Sequence, residues 1–260
     1  MTANESSPAR RVVSADFAAL VDQAGHFFAD CAAEAVAQRG WFRVALSGGS
    51  TPRGLHQALA GETTDVELKQ RVKTIPWAKT VVYFGDERYV PPDHPDSNYR
   101  MARETLLNLV PIPPEQIHPM PTNFDVPAEA AAAYTQTLQD TFQTQPGEWP
   151  QFDLILLGMG PDGHTASLFP GTAAIHEQTS WVVSHFVPKL QAERMTLTPP
   201  VLCAARQVAF LVSGSENAAV LQRVLEGPFE PDVRTSQSIR PTSGTLTWFL
   251  DEAAAAKLSK

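Results

Sequence analysis

The chain has 260 residues, 43% of them apolar and 18% charged, and 28 acidic side chains against 20 basic ones give a formal charge of −8. That length supports one large core or two small ones, and the acidic balance argues against a general nucleic-acid-binding surface, which needs a basic stripe. No apolar run approaches the roughly 20 residues of a membrane span, and Asp16 and Asp22 interrupt what would be the apolar core of a secretion signal.

Residues 1–8 read as a frayed tail. From Phe17 the apolar positions Leu20, Val21, Ala24, Phe28 and Cys31 follow the helical period, with Ser14 as the expected N-cap and Gly40 as the stop. A strand over 43–46 runs into the turn Ser47-Gly48-Gly49-Ser50-Thr51, and a helix opens at Pro52. The polar segment 61–73 predicts a surface helix or an insertion. A buried strand over 80–84 precedes Gly85-Asp86-Glu87-Arg88, a helix over 97–109 follows a loop rich in Pro and Asp, and an alanine-rich helix covers 128–142. The apolar run 154–157 has the character of a strand buried on both faces, as in a parallel sheet. Strands over 181–183, 208–212 and 245–249 and helices over 216–225 and 251–258 complete the pattern. Strands alternating with helices predict a layered α/β sheet. No repeat or charge run marks a boundary, so one domain over 1–260 is expected, with 1–10 as a flexible tail.

Three turns after predicted strands carry the chemistry. In the first, two glycines and three hydroxyls precede a helix start, where free N–H groups and a positive dipole end make a phosphate cradle. Ser50 or Thr51 is expected to cap the helix, with Pro52 in its first turn. The turn lacks the lysine of a nucleotide P-loop and the last glycine of a G-x-S-x-G elbow, which disfavours covalent serine catalysis. In the second turn, Asp86, Glu87 and Arg88 read either as a solvated, self-paired loop or as a place where Arg88 grips a phosphate through its planar fork. The third, Gly158 to Gly171, sets Asp162 and His164 two residues apart beyond a strand end. A histidine there suits a general base, with Asp162 orienting the ring. The same letters fit a dinucleotide fingerprint, but Pro170-Gly171 ends the next segment after one turn and no acidic residue closes the next strand. Lys189 and Arg194 form a further cationic segment, read as a loop leading to a hydroxyl-rich helix start.

Ser47-Gly48-Gly49-Ser50, Gly85 to Arg88 with Ser97-Asn98, Gly158 to Gly171, Pro188-Lys189 with Arg194 to Thr198, and Thr247 to Ala253 together resemble the 6-phosphogluconolactonases across nearly the whole chain. The resemblance implies a three-layer α/β sandwich with a mostly parallel, Rossmann-like sheet, shared with the glucosamine-6-phosphate deaminases. It also implies lactone hydrolysis without metal or cofactor. His164 and Asp162 then form the catalytic pair. Gly48, Gly49, Ser50, Thr51, Arg88, Lys189 and Arg194 bind the substrate's phosphate. The deaminases keep a glutamate where this chain has Phe169, and the lactonases often carry a lysine where it has Asn217. A non-catalytic sugar-phosphate sensor is disfavoured because no DNA-reading module is attached. The expected partner is a phosphorylated sugar lactone, with no nucleic acid or membrane. Cys31 and Cys203 are expected as buried small hydrophobes in a reducing cytoplasm, and the chain is expected to act as a monomer.

Overall fold

The computed structural model describes residues 9–145 and 147–259, so the tail expected over 1–8 lies outside the described residues. Arg10, grouped with that tail by the sequence, instead opens strand β1 (Arg10–Ser14), which pairs in parallel near the other end of the chain. Five residues with two arginines carry too little pattern to announce a strand without its partner. Asp16, not Ser14, caps helix α1 (Phe17–Arg39): its carboxylate accepts the Ala19 N–H at 2.9 Å. Gly40 ends the helix in the left-handed region.

β2 (Phe42–Leu46) leads into α2 (Ser50–Leu59), which starts two residues before the expected Pro52, and α3 (Val66–Arg71) is the surface helix of the polar segment. β3 (Thr80–Phe84) is followed after one glycine by β4 (Asp86–Arg88). Ser97 caps α4 (Asn98–Ala102), which continues as a π turn over Arg103–Leu107, and α5 (Pro127–Phe142) is the alanine-rich helix. Then come β5 (Leu154–Gly158), β6 (Val182–Val187), β7 (Ala192–Leu197), α6 (Pro199–Ala204) and β8 (Gln207–Val212). α7 (Ala218–Glu226), β9 (Thr245–Asp251) and α8 (Glu252–Ala255) close the chain.

Six strands form one parallel sheet in the order β1-β9-β8-β5-β2-β3. The register sets Tyr83, Ala45, Ile155, Val208 and Leu246 in one line across it. On that face Tyr83 packs against Phe142 of α5, and Trp248, two residues beyond Leu246, stacks on Phe210 with ring centres 3.9 Å apart. Phe249 points to the opposite face and meets Phe27 of α1. Helices cover both faces, which makes the three-layer α/β sandwich. Leu154, Ile155 and Leu157 are fully buried, and at about 1.5–3 kcal/mol for each such side chain β5 is pinned from both sides.

β4, β7 and β6 form a second, antiparallel sheet in the order β4-β7-β6. Two expectations fail here. Residues 192–197 are a central strand, not a loop leading to a helix, and the strand expected over 181–183 runs to Val187. Glu193, Arg194 and Thr196 hide the strand pattern; pairing with a neighbour on each side overrides the local signal. In the main sheet β2 has β3 on one side and β5 on the other. The carboxyl ends of β2 and β5 therefore bound the crevice where ligands collect in open α/β sheets.

Candidate active site

Beyond β5 the chain turns sharply, and the His164 imidazole lies against the α-carbon of Gly160. A Cβ at that position would sit 2.1 Å from the ring, so only glycine leaves it room. Backbone bonds close the turn: Gly160 N–H donates to His164 O at 2.8 Å and Gly163 N–H to Gly160 O at 2.9 Å. Inside it, His164 Nδ1 lies 2.5 Å from Asp162 Oδ1. That bond first, and a contact from Lys189 next, hold the Asp162 carboxyl far below the usual carboxylate range. An ionised carboxylate only accepts, so Nδ1 carries the proton. Nε2 has no hydrogen-bond partner among the described residues. Phe169 stacks on the imidazole with ring centres 4.0 Å apart, which fixes the ring plane.

The turn after β2 supplies the facing wall of the crevice. Gly49, at φ 103°, is the N-cap of α2, and no side chain caps the helix. The expected cap by Ser50 or Thr51 is therefore absent; Thr51 Oγ1 instead meets Ser213 Oγ at 2.9 Å, beyond β8. The first-turn N–H groups face the crevice without a side-chain acceptor, at the positive end of the helix dipole. This arrangement suits an anion.

The triplet after β3 is no solvated loop. Asp86 and Glu87 are both buried. Glu87 Oε1 accepts the N–H groups of Arg88 and Asn98 at 2.8 and 2.7 Å; Oε2 accepts the Tyr99 N–H at 2.8 Å and the Ser97 hydroxyl at 3.2 Å. Burial nonetheless pushes the Glu87 carboxyl above its usual range. Asp86 accepts the Ser167 hydroxyl at 2.7 Å and the Asn98 amide at 3.3 Å. His185, whose protonation burial disfavours, places Nε2 2.8 Å from the Ser167 carbonyl, which fixes that nitrogen as a donor. The second sheet thus clamps the loop that carries His164.

Among the expected site residues, Gly48, Gly49, Ser50, Thr51, Arg88 and His164 line one crevice. Arg88 keeps its guanidinium there while Nη1 donates to Asp96 O at 2.8 Å. Lys189 and Arg194 are not on the crevice wall. Arg194 is the register partner of Arg88 on β7, and its pKa is lowered first by burial and then by the Arg88 charge. Lys189 Nζ lies 2.6 Å from Asp162 Oδ2. Ser213 and Glu216 also line the crevice and were not singled out by the sequence; Asn98, present there only within the second motif and given no role, lines it too. Asn217 lines it too, its amide donating to Ser213 O at 2.7 Å. Cys31 is buried as expected, and Cys203 only partly so.

A family model described as glucosamine-6-phosphate isomerases/6-phosphogluconolactonase matches residues 15–248. The chain is 44% identical over 225 residues to a 6-phosphogluconolactonase of Nostoc sp., covering 86% of this chain and 88% of that protein. It is 42% identical over 225 residues to a 6-phosphogluconolactonase of Synechocystis sp., with the same two shares covered. A solved 6-phosphogluconolactonase from Trypanosoma cruzi superposes with a TM-score of 0.83 at 31% identity, over 100% of both chains.

Proposed function

The chain belongs to the family of glucosamine-6-phosphate isomerases and 6-phosphogluconolactonases, and on that premise we propose that it hydrolyses 6-phospho-D-glucono-1,5-lactone to 6-phospho-D-gluconate in the oxidative pentose phosphate pathway. The observation that carries the reading is the Asp162–His164 pair set across one crevice from an uncapped helix start and Arg88. One wall offers a base and the other an anion site.

The N–H groups and hydroxyls of the turn Gly48 to Thr51, together with Arg88, hold the substrate's phosphate, with Arg194 adding positive charge behind Arg88. Anchoring that remote dianion sets the lactone carbonyl beside the imidazole, so binding energy supplies orientation. His164 Nε2 takes a proton from water, the resulting hydroxide adds to the carbonyl carbon, and Asp162 stabilises the imidazolium. Backbone N–H groups of the glycine turn stabilise the tetrahedral oxyanion. As that intermediate collapses, the bond to the ring oxygen breaks and His164 returns its proton there. Phe169, stacked on the base, carries no proton. This suits hydrolysis and leaves amino-sugar isomerisation without a relay at that position.

Every residue given a role here belongs to one chain, which supports action as a monomer. No helix among the described residues is long and apolar enough to cross a membrane, and the two free cysteines fit a reducing cytoplasm. Proton release from freshly made 6-phosphogluconolactone, measured against its spontaneous opening, tests the reading. Catalysed opening is expected, with no ammonia released from glucosamine 6-phosphate. Lactone opening at the uncatalysed rate would overturn it.

A further inference from the structure

We propose that Lys189 is a removable counter-ion of the catalytic pair: it holds Asp162 until the anionic substrate draws it away, and His164 becomes a stronger base as it leaves. The inference rests on the reading of His164 as the base. Asp162 divides its two oxygens, Oδ1 to His164 Nδ1 at 2.5 Å and Oδ2 to Lys189 Nζ at 2.6 Å. The three side chains make one chain of charge, and the ammonium at its far end decides how much of the carboxylate's attraction reaches the imidazolium.

Lys189 is built to leave. It sits in the 3-10 turn Pro188–Leu190 that joins β6 to β7, and 63% of its side chain is exposed. A pair that wet is weak, so the field of a phosphate dianion bound in the neighbouring crevice, whose wall Lys189 itself does not line, is enough to draw the amine off. Asp162 is different: its side chain is 22% exposed, and it also accepts the His164 N–H at 3.2 Å. The acid stays while the amine moves. The other charges near the ring are Arg88 and Glu216, which line the same crevice, and Arg234, which packs against Gly163 and donates to Glu230. Of these charges Lys189 is the one paired with Asp162. A cation on the carboxylate weakens its hold on the imidazolium, and releasing it strengthens that hold.

The experiment compares pH profiles of wild type, Lys189→Met and Lys189→Arg. The profile of kcat/KM reports the base in the free enzyme, and that of kcat reports it in the complex. In Lys189→Met the acid limb of kcat/KM is expected to move up by roughly half a unit to one unit, the scale of removing one nearby charge at a partly wet site, while the limb of kcat stays in place. Lys189→Arg is expected to keep the wild-type separation. NMR titration of the His164 imidazole, with and without 6-phosphogluconate, reads the same quantity without turnover: the gap between the two titrations narrows in Lys189→Met. An unmoved free-enzyme titration in Lys189→Met overturns the counter-ion role. Equal displacement of both limbs overturns the release. A wild type that titrates as described but opens no lactone would remove the lactonase reading and leave the counter-ion role standing.

Discussion

Replacing Gly48 with alanine tests how the turn proposed to hold the phosphate keeps its shape. The added methyl would sit 1.9 Å from Asn98 Oδ1 and 2.5 Å from its Cγ, well over 1 Å inside an ordinary non-bonded separation. Asn98 cannot yield cheaply. Its side chain is buried, and its amide donates to Asp86 O at 3.0 Å and Asp86 Oδ1 at 3.3 Å. Losing both buried bonds, at about 1–1.5 kcal/mol each, costs about 2–3 kcal/mol. The protein can take that loss as stability, a fall in Tm of roughly 4–10 °C, or as a displaced turn, a loss of about 30- to 150-fold in kcat/KM. Thermal unfolding and steady-state kinetics on one preparation separate the two. Asn98→Ala removes the colliding atoms, so in that background Gly48→Ala should cost less than about 1 kcal/mol. Costs that simply add in the double variant would refute the collision.

Three further outcomes are expected. His164→Ala should reduce kcat by about 10²- to 10⁴-fold with little change in KM; near-normal turnover would remove it as the base. Arg88→Ala should raise KM more than Arg194→Ala does, because only Arg88 lines the crevice; the reverse order in steady-state kinetics would put Arg194 on the phosphate instead. His56 is fully buried in α2, and burial first, then Arg53, lowers its pKa from 6.5 to about 4. The unfolded chain therefore takes up this proton from about 6.5 downward while the folded one resists until about 4. Stability is intact above that window and falls by up to about 3 kcal/mol as pH drops through it. Denaturant titrations at pH 7 and 4.5 should show a smaller decline in His56→Leu; an equal decline would show that His56 is not the group responsible.

What the sequence makes legible follows from where the physics is local. Leu154 to Leu157 is an apolar run closed by glycine, and the sheet strands at 43–46 and 80–84 are of the same kind; each is recognisable without its partners. Asp162 and His164 are two residues apart, so their contact needs only a tight turn, and the glycines that make the turn are visible in the chain. The second sheet is not local. β7 hides behind Glu193 and Arg194 because its partners, β4 and β6, lie on either side of it in space and decide its conformation. The same holds for Asp86 and Glu87. Three charges after a strand read as solvated unless the donors are known, and those donors, Asn98, Tyr99 and Ser167, come from distant segments. Lys189 is the sharpest case: a cation in a loop suggests a phosphate ligand, and only the structure shows that it pairs with the carboxylate of Asp162.

The two walls of the crevice draw their rigidity from different sources. The cradle is an ordinary strand–turn–helix unit, held by β2 behind it and α2 in front. The loop carrying His164 has no helix to follow it, so it must be fixed from outside. Thr165 Oγ1 donates back to Gly158 O at 2.8 Å, Ser167 is held by Asp86 and His185, the Thr235 hydroxyl reaches Leu168 O at 2.5 Å, and Ser236 N–H reaches Gly163 O at 3.0 Å. Such over-determination is what lets Ala166, between these anchors, persist at φ 47°, in the left-handed region that a residue with a Cβ adopts at a cost of about 1 kcal/mol or more. As the proposed base, His164 must meet a carbonyl within a fraction of an ångström, and that needs the loop still. On that proposal the buried carboxylates of β4 serve the base by holding its loop, although neither touches it.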